Sequence, residues 1–231
     1  MIAGSEIDQL KELLQGLDKE DIYRSVYDPD GNLLAEGVEP LKKQLIDDFR
    51  KVDFNRKTVV DLGCNFGFFS FLARELGAQK ITGVDAVPEV VRGGRLLAAA
   101  NNVENIDFTT FNFETPDKDL GMFDLVMLVD FFGKANIRKQ KVESIIRFMK
   151  SIADKELLFA IRPINRIVKD LKLTESAFSG LYPDKYIADG NFYLLEYIKD
   201  ILTKEWAISP VSEYDGRFCK HKILFLCQKK Q

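Results

Sequence analysis

Two carboxylates and two glycines stand at spacings suited to binding a cofactor. Asp61, Gly63 and Gly67 lie at the end of a β-branched run, Thr58–Leu62, and Asp85 follows Asp61 by 24 residues at the end of a second apolar run. Glycines allow a turn to come close to a ligand, and the first N–H groups of a helix after that turn would point back at it. A carboxylate after the next strand can accept hydrogen bonds from ribose hydroxyls. The pattern therefore predicts a site for a nucleotide-like cofactor.

The order of the glycines distinguishes between kinds of cofactor. A dinucleotide fingerprint, G-x-G-x-x-G, would require glycine at Asn65 and Phe68, and neither position has it. The segment instead has the order acidic-x-Gly-x-x-x-Gly, with a second acid at Asp85. In these features it resembles motif I of the class I S-adenosylmethionine (SAM) dependent methyltransferases. The resemblance extends over residues 50–231 and implies SAM as the cofactor.

The resemblance also implies a role for each predicted binding residue. The loop from Asp61 to Gly67 would contact the methionine part of SAM, and Asp85 would bind the ribose with its apolar neighbours near the adenine. After the third strand, Asn112 could hydrogen-bond the adenine amino group and Phe113 could pack on the ring. The predicted cofactor-binding residues are Asp61, Gly63, Cys64, Asn65, Gly67, Asp85, Ala86, Val87, Asn112, Phe113 and Val129.

Asp130 is the candidate general base. It follows the fourth predicted strand, whose end should face the methyl group, and a poorly nucleophilic acceptor must lose a proton. A structural role for Asp130 is also compatible with the sequence. No Asn/Asp-Pro-Pro-Tyr/Phe signature of amino-group methylation follows this strand, and no paired acids suggest magnesium, so no metal site is predicted. Cys64 is interpreted as a small buried filler rather than a nucleophile.

The elements that must position these residues alternate along the chain. The predicted strands are 58–62, 80–85, 106–110, 123–129, 156–161, 206–213 and 221–228, and the predicted helices after residue 50 are 67–76, 88–101, 137–152 and 191–203. Strands separated by helices indicate a parallel sheet, and two final strands without a helix between them indicate an antiparallel edge. We therefore expect an α/β fold with the Rossmann-like class I methyltransferase sheet: seven strands, mostly parallel with an antiparallel final strand, and helices on both faces.

Charge divides the chain into two parts. Residues 1–50 carry 6 Lys/Arg and 12 Asp/Glu, a net charge of −6, whereas residues 51–231 carry a net charge of +3. We interpret 1–50 as an acidic, mainly helical N-terminal extension and 51–231 as the SAM-binding methyltransferase domain. The segment 162–190 is long for a connection between a strand and a helix, so it is a candidate substrate cover.

The segment 134–172 is strongly basic, with a net charge of +7. Such a surface could attract an acidic substrate or RNA. The alternative interpretation is a solvated helix face, because apolar residues recur at helical spacing from Val142 to Ile152 and Glu143 can pair with Arg147.

The expected activity is in-line methyl transfer to an oxygen, or a nitrogen, of a small molecule. The Asp-x-Gly-x-Asn-x-Gly order of the loop is similar to that of a family of sugar and polyketide-associated O-methyltransferases. A tRNA-modifying transferase that uses SAM or a SAM derivative, with tRNA as its partner, is the alternative. A non-catalytic SAM-binding protein and an NAD(P)-dependent oxidoreductase are alternatives from other classes. The apolar runs are too short to cross a membrane and the first residues lack signal-peptide character, so a cytoplasmic protein is expected.

Overall fold

The computed structural model describes residues 5–116, 119–202, 205–219 and 221–230. Its strands are β1 (Val26–Tyr27), β2 (Leu33–Ala35), β3 (Thr58–Leu62), β4 (Lys80–Asp85), β5 (Ile106–Thr110), β6 (Phe123–Leu128), β7 (Ala153–Ile161), β8 (Ile164–Arg166), β9 (Ile187–Ala188), β10 (Asn191–Tyr193), β11 (Trp206–Pro210) and β12 (Ile223–Lys229). Its helices are α1 (Glu6–Gln15), α2 (Lys43–Phe49), α3 (Phe68–Glu75), α4 (Pro88–Ala100), α5 (Lys134–Arg138), α6 (Val142–Ile152), α7 (Glu175–Phe178) and α8 (Leu194–Leu202). Short 3-10 helices cover Lys19–Asp21 and Asp184–Tyr186.

Among the described residues, seven strands share one mixed sheet, in the order β11-β12-β7-β6-β3-β4-β5. β3, β4 and β5 pair in parallel, with Asp61 opposite Gly83 and Asp85 opposite Thr110. β6 and β7 also pair in parallel, whereas β12 is antiparallel to both β7 and β11. The predicted seven-stranded sheet, mostly parallel with an antiparallel final strand, is confirmed.

The inner strands are continuous apolar runs, which is the pattern expected when both faces of a parallel sheet are covered. Residues 125–128 of β6 and 157–161 of β7 are fully excluded from solvent. An apolar run shows that a strand exists but does not fix the residues at which the strand begins and ends. β7 begins at Ala153 rather than at residue 156, and β11 ends at Pro210 rather than at residue 213.

The described residues of 1–46 and 53–119 form the first of two compact units. In this unit, helix α1 of the extension packs against helix α4. Ser5 caps α1, since its hydroxyl accepts the N–H of Asp8 at 3.2 Å. One apolar cluster joins the extension to helix α4 and to the glycine loop at residues 63–67. It comprises Leu10, Leu14, Ile22, Val26, Phe66, Val90 and Leu97.

The extension contains a β-hairpin in addition to its helices, so the prediction of a mainly helical segment is incomplete. β1 and β2 pair antiparallel around a turn, where the Asp28 carboxylate accepts the N–H groups of Asp30 and Asn32. Strands of two and three residues are too short to show a period of two. Pro40 precedes α2, the second helix of the extension, which begins at Lys43.

Gly94 in the middle of α4 permits close packing against β5. A Cβ atom at this position would lie 2.8 Å from ring atoms of Phe108, which is closer than carbon atoms can approach. Phe108 is buried, with 4% of its surface exposed, so its ring has little freedom to move away. The absence of a side chain at Gly94 therefore sets the distance between helix and strand.

The second compact unit contains the described residues of 47–52 and 120–231. The helix predicted at 137–152 is two helices here, because the chain breaks between α5 and α6 with Gln140 at a positive φ of 55°. The helix predicted to start at residue 191 starts at Leu194, because Asn191–Tyr193 pairs as a strand with Ile164–Arg166. Pairing with a distant segment overrides the local helical pattern there.

The predicted substrate cover, 162–190, is an ordered substructure within this second unit. It contributes β8 and β9 to a small antiparallel sheet in the order β8-β10-β9. The hydroxyl of Tyr182 donates to the carbonyl of Ile137 at 2.7 Å, and the hydroxyl of Tyr186 donates to Asp200. These two contacts fix the segment to α5 and α8. Its role over a substrate stays a prediction.

Candidate functional site

The loop between β3 and α3 follows the path expected of a ligand-binding turn. Gly63, Asn65 and Gly67 have positive φ angles of 67°, 50° and 87°. The N–H of Cys64 donates to the carbonyl of Val84 at 2.9 Å, which ties the loop to the end of β4. Gly67 then begins α3 by accepting the N–H of Phe71 at 2.8 Å, so the first N–H groups of the helix are directed to the loop.

Gly67 is required for two reasons. Its φ of 87° is disfavoured for residues with a side chain, and a Cβ atom would lie 2.5 Å from the Cζ of Phe108. The glycine therefore serves both the turn and the packing beneath it.

Asp61 is a buried carboxyl group at the end of β3. Only 3% of its surface is exposed, and its Oδ2 accepts a hydrogen bond from the hydroxyl of Ser70 at 2.7 Å. Burial raises the pKa of Asp61 to about 7, and the charge of Asp85 adds to that increase, while the Ser70 hydroxyl opposes it. The raised pKa favours the protonated carboxyl group at pH values where an exposed aspartate is ionised. Ser70 was not predicted to matter, although it lies one turn into α3.

Asp85 lies directly beside the glycine loop. Its Oδ2 accepts the N–H of Asn65 at 3.0 Å, and its Oδ1 accepts the N–H of Val87 at 3.1 Å. Burial raises the pKa of Asp85, and these backbone hydrogen bonds limit the increase. The structure thus places both acidic residues that the sequence singled out at the glycine loop, Asp61 in the strand that leads into it and Asp85 hydrogen-bonded to Asn65 within it.

The Asn65 side chain makes contacts that the sequence did not suggest. Its Nδ2 donates to the carbonyl of Asp21 at 2.7 Å, and its Oδ1 accepts the N–H of Tyr23 at 3.3 Å. These partners are 44 and 42 residues away, in the N-terminal extension. No local pattern signals such a pairing, because it depends on how the extension packs.

Of the other residues predicted around the loop, Cys64 and Val87 pack against neighbouring residues in the structure. Cys64 is buried against Gly83, where a Cβ atom would lie 3.1 Å from the Cys64 Sγ. Burial raises the pKa of the Cys64 thiol, as expected for a filler rather than a nucleophile. Val87 precedes α4 and packs on the apolar cluster of the extension, whereas Ala86 is exposed.

Asn112 and Phe113 lie in the loop after β5, as predicted. Phe113 is buried, with 6% exposed, and Asn112 is exposed. The Oδ1 of Asn112 accepts the N–H of Glu114 at 3.0 Å, so this oxygen stabilises its own loop. Contact of either residue with an adenine ring stays a prediction.

In the second unit, Val129 and Asp130 follow β6. Val129 is buried, and Asp130 has a positive φ of 64°, which is uncommon for a residue with a side chain. The Nζ of Lys222 lies 2.8 Å from the Asp130 Oδ1 and donates to the Asp130 carbonyl, also at 2.8 Å. Lys222 precedes the antiparallel strand β12 and holds both the backbone and the side chain of Asp130. Sequence inspection did not identify this partner.

A cavity of about 250 Å³ opens beside the end of β7 in the second unit. Parallel orientation of β7 and β11, through the antiparallel β12 between them, puts the ends of both strands at this edge. The lining is mostly aromatic and aliphatic, with one acid and one base, and comprises Pro163, Ile164, Tyr193, Leu195, Glu196, Lys199, Ile208, Pro210, Tyr214, Gly216 and Phe225. Glu196 and Lys199 form an ion pair at 2.7 Å.

Many of the basic side chains in 134–172 have acidic partners. Arg147 pairs with Glu143 at 2.6 Å, as predicted, and Lys155 pairs with Asp124 at 2.6 Å. The apolar stripe from Val142 to Ile152 is buried on the other side of α6. In the described ranges, no three His, Cys, Asp or Glu side chains are grouped so that they could hold a metal ion. No helix in the same part of the chain has the length and hydropathy that a membrane span requires.

Comparison with known proteins identifies the family. A family model described as a methyltransferase domain matches residues 53–202. The ribosomal protein L11 methyltransferase of Vibrio campbellii is 32% identical over 85 residues, which are 37% of this chain and 28% of that protein. The similar enzyme of Shewanella sediminis is 30% identical over 106 residues, covering 42% of this chain and 36% of that protein. The chain thus spans only about a third of the length of these curated relatives.

Solved structures share the fold at low sequence identity. Magnesium protoporphyrin IX methyltransferase (ChlM) from Synechocystis PCC 6803 with bound SAM has a TM-score of 0.55 and 15% identity, with full coverage of both chains. The bifunctional kinase-methyltransferase WbdD has a TM-score of 0.63 and 17% identity over 95% of this chain and 46% of its own. These likenesses concern the fold alone.

Because the family model covers well over half of the sequence, the chain belongs to the methyltransferase-domain family. The resemblance to class I SAM-dependent methyltransferases and the Rossmann-like fold are thereby confirmed.

Proposed function

We propose that this protein is a SAM-dependent methyltransferase that methylates an oxygen, or a nitrogen, of a small molecule. The hydrogen bond from the Asn65 N–H to the Asp85 carboxylate carries the cofactor part of the proposal, because it joins the glycine loop to the acid that would bind a ribose. Membership of the methyltransferase-domain family supports the reaction class.

The residues of the first unit fit a cationic nucleoside cofactor. Asp61 and Asp85 are both carboxyl groups whose pKa is raised by burial, so a positive charge placed beside them would be stabilised. SAM carries such charges on its sulfonium and ammonium groups. In this proposal the backbone of residues 63–67 holds the methionine part, and Asp85, which can only accept when ionised, binds the ribose hydroxyls.

When bound, SAM supplies a methyl group attached to a positively charged sulfur, which is a good leaving group. The chain has to hold the acceptor in line with that methyl group and exclude water. In the transfer, the acceptor oxygen or nitrogen forms a bond to the methyl carbon, the sulfur–carbon bond breaks, and the acceptor proton passes to water or to a base. The Lys222 cation, 2.8 Å from Asp130, favours the ionised form of the Asp130 side chain. In this proposal the Asp130 carboxylate orients the acceptor by accepting a hydrogen bond from it.

The cavity at the ends of β7 and β11 supports a small-molecule acceptor. Its lining of aromatic and aliphatic side chains with one ion pair fits a small organic molecule, and its volume of about 250 Å³ limits that molecule to less than drug size. Ion pairs between the basic segment and acidic side chains reduce the charge available for RNA, which disfavours the tRNA alternative. The named relatives methylate a ribosomal protein, but the matched region is too small a part of them to transfer that substrate.

The test is calorimetry followed by a labelling experiment. We expect the wild-type protein to bind S-adenosylhomocysteine (SAH), the demethylated product, and to transfer a tritiated methyl group from SAM to a filtered small-metabolite fraction. Bulk tRNA and purified ribosomal protein L11 serve as competing acceptors in separate reactions. Failure to bind either SAM or SAH would refute the activity. Label in tRNA or in L11, but not in the metabolite fraction, would show that the acceptor is a macromolecule and not a small molecule. Cofactor binding without any labelling would favour a non-catalytic protein.

A matched pair of variants tests the cavity. Ile208 lines it, whereas the adjacent Ala207 on β11 is exposed and points to the opposite side of the strand. Ile208→Trp should raise the KM for the acceptor while SAH affinity stays at the wild-type value. Ala207→Trp should change neither quantity. Equal acceptor kinetics in the two variants would exclude the cavity as the acceptor site.

A further inference from the structure

The N-terminal extension is hydrogen-bonded directly to the predicted cofactor loop. One amide side chain, that of Asn65, donates to the carbonyl of Asp21 at 2.7 Å and accepts the N–H of Tyr23 at 3.3 Å. The Asn65 side-chain amide thus pairs with the backbone of the segment as the peptide group of an adjacent β-strand would, through one donor and one acceptor. The contact therefore fixes both the position and the direction of this segment.

A second, apolar contact lies at the next residue. Phe66 is buried, with 5% exposed, in the cluster formed with Leu10, Leu14 and Ile22 of the extension. Its ring also fills the space over Gly93, where a Cβ atom would lie 2.2 Å away. Two consecutive residues of the loop are thus covered by the extension, one by hydrogen bonds and one by packing.

The segment at Asp21–Arg24 is supported from its other side as well. The carbonyls of Ile22 and Tyr23 accept the N–H groups of Val38 and Glu39 at 3.0 and 3.1 Å. The Arg24 guanidinium donates to the carbonyls of Glu39 and Pro40 at 2.9 and 2.8 Å. The segment is consequently a braced element rather than a loose end resting on the loop.

The same asparagine holds the carboxylate that would bind the ribose. Its backbone N–H donates to Asp85 at 3.0 Å while its side chain holds the extension. Asp21 lies close enough for its charge to act on Asp85, adding to the effect of burial on the Asp85 pKa. A continuous set of contacts therefore runs from Asp21 and Tyr23 through Asn65 to Asp85.

We propose that the segment Asp21–Arg24 is part of the cofactor site, and that Asn65 is a positioning residue that couples docking of this segment to the placement of the Asp85 carboxylate. The identity of the ligand rests on the proposed function. Coupling between two sites is reciprocal, so the cofactor must stabilise the docked extension to the same degree that the docked extension favours the cofactor.

The first test needs no variant. Hydrogen exchange of the full-length protein is measured with and without saturating SAH, following peptides that cover residues 18–25. We expect SAH to slow exchange at these peptides. If the wild type binds SAH but their exchange does not change, this inference is wrong while the proposed function stands. If the wild type binds no SAH, both fail.

Asn65→Gly separates the side-chain contact from the backbone conformation, because glycine adopts the φ of 50° without strain. We expect SAH affinity to fall by about tenfold, from the loss of roughly one net hydrogen bond's contribution, and SAH no longer to protect residues 18–25. Ser25→Ala is the control, since the Ser25 hydroxyl accepts the N–H of Gly37 within the extension at 3.1 Å and does not contact the loop. Ser25→Ala should keep the wild-type SAH affinity and protection. Equal losses in the two variants, or wild-type behaviour of Asn65→Gly, would overturn the proposal.

Discussion

Without cofactor, the stability of the Asp61→Asn variant relative to the wild type should increase as the pH rises. Asparagine keeps the shape of the side chain, and its oxygen can still accept the Ser70 hydroxyl that lies 2.7 Å from Asp61. Burial raises the pKa of Asp61 from 3.8 to about 7, so the folded state holds this proton more tightly than the unfolded state does. Stability from this group is therefore present at low pH and is lost as the pH rises from about 4 to about 7.

The size of the effect follows from the two pKa values. At ~1.4 kcal/mol for each tenfold change in an equilibrium constant, a pKa raised from 3.8 to about 7 corresponds to about 4 kcal/mol of lost stability once the group is ionised in both states. About 3 kcal/mol of this loss falls between pH 5 and pH 8. The difference in unfolding free energy between Asp61→Asn and the wild type should increase by that amount over this range.

The assay is urea unfolding of both proteins at pH 5, 6, 7 and 8 without SAM. Taking the difference between the two proteins cancels the titration of the groups that they share. Asp28→Asn is the control, because hydrogen bonds from Asn32 lower the pKa of the exposed Asp28, so its titration lies below this pH range. The Asp28→Asn difference from the wild type should therefore stay constant from pH 5 to pH 8.

A difference between Asp61→Asn and the wild type that does not change with pH would refute the reasoning, because it would mean that Asp61 ionises as an ordinary surface acid. Calorimetry with SAM completes the experiment. If the two buried acids favour a cationic cofactor, Asp61→Asn should bind SAM more weakly than the wild type, even though it is the more stable protein.

Three further predictions concern the neighbouring contacts. Asp85→Asn should weaken SAH binding by about tenfold or more in calorimetry, because an amide cannot accept at both oxygen positions; unchanged affinity would remove Asp85 from the site. Lys222→Gln should lower the unfolding free energy by about 1–3 kcal/mol in urea titrations, since the mostly buried Asp130 carboxylate loses a cation 2.8 Å away, and Lys222→Arg should lose less. Gly94→Ala, which would stabilise an exposed helix, should instead destabilise the protein by about 1–3 kcal/mol because the new Cβ would lie 2.8 Å from the Phe108 ring. Phe108→Leu in the same chain should recover part of that loss, and a fully additive double mutant would contradict the packing argument.

The strands were more predictable than the helices and the extension. β3, β4 and β5 have the predicted bounds because apolar and β-branched residues are concentrated in each of them, and Gly63 and Asp85 mark where β3 and β4 end. The start of α8 was misplaced because residues 191–193 pair with residues 164–166, a contact that no local pattern contains. The hairpin of the extension was missed for a different reason, since β1 and β2 are too short to show alternation.

Sequence alone determined the family resemblance and the nearness of Asp61, the glycines and Asp85. Consecutive parallel strands end at one edge of a sheet, so residues that follow β3 and β4 meet wherever the chain forms that sheet. Only the tertiary structure decided that Asn65 binds Asp21 and Tyr23, and that Lys222 binds Asp130 across 92 residues. Such pairs join segments that no periodicity relates, because their meeting depends on the packing of whole elements. The glycine loop could therefore be predicted from its spacing, whereas its partner in the extension required the fold.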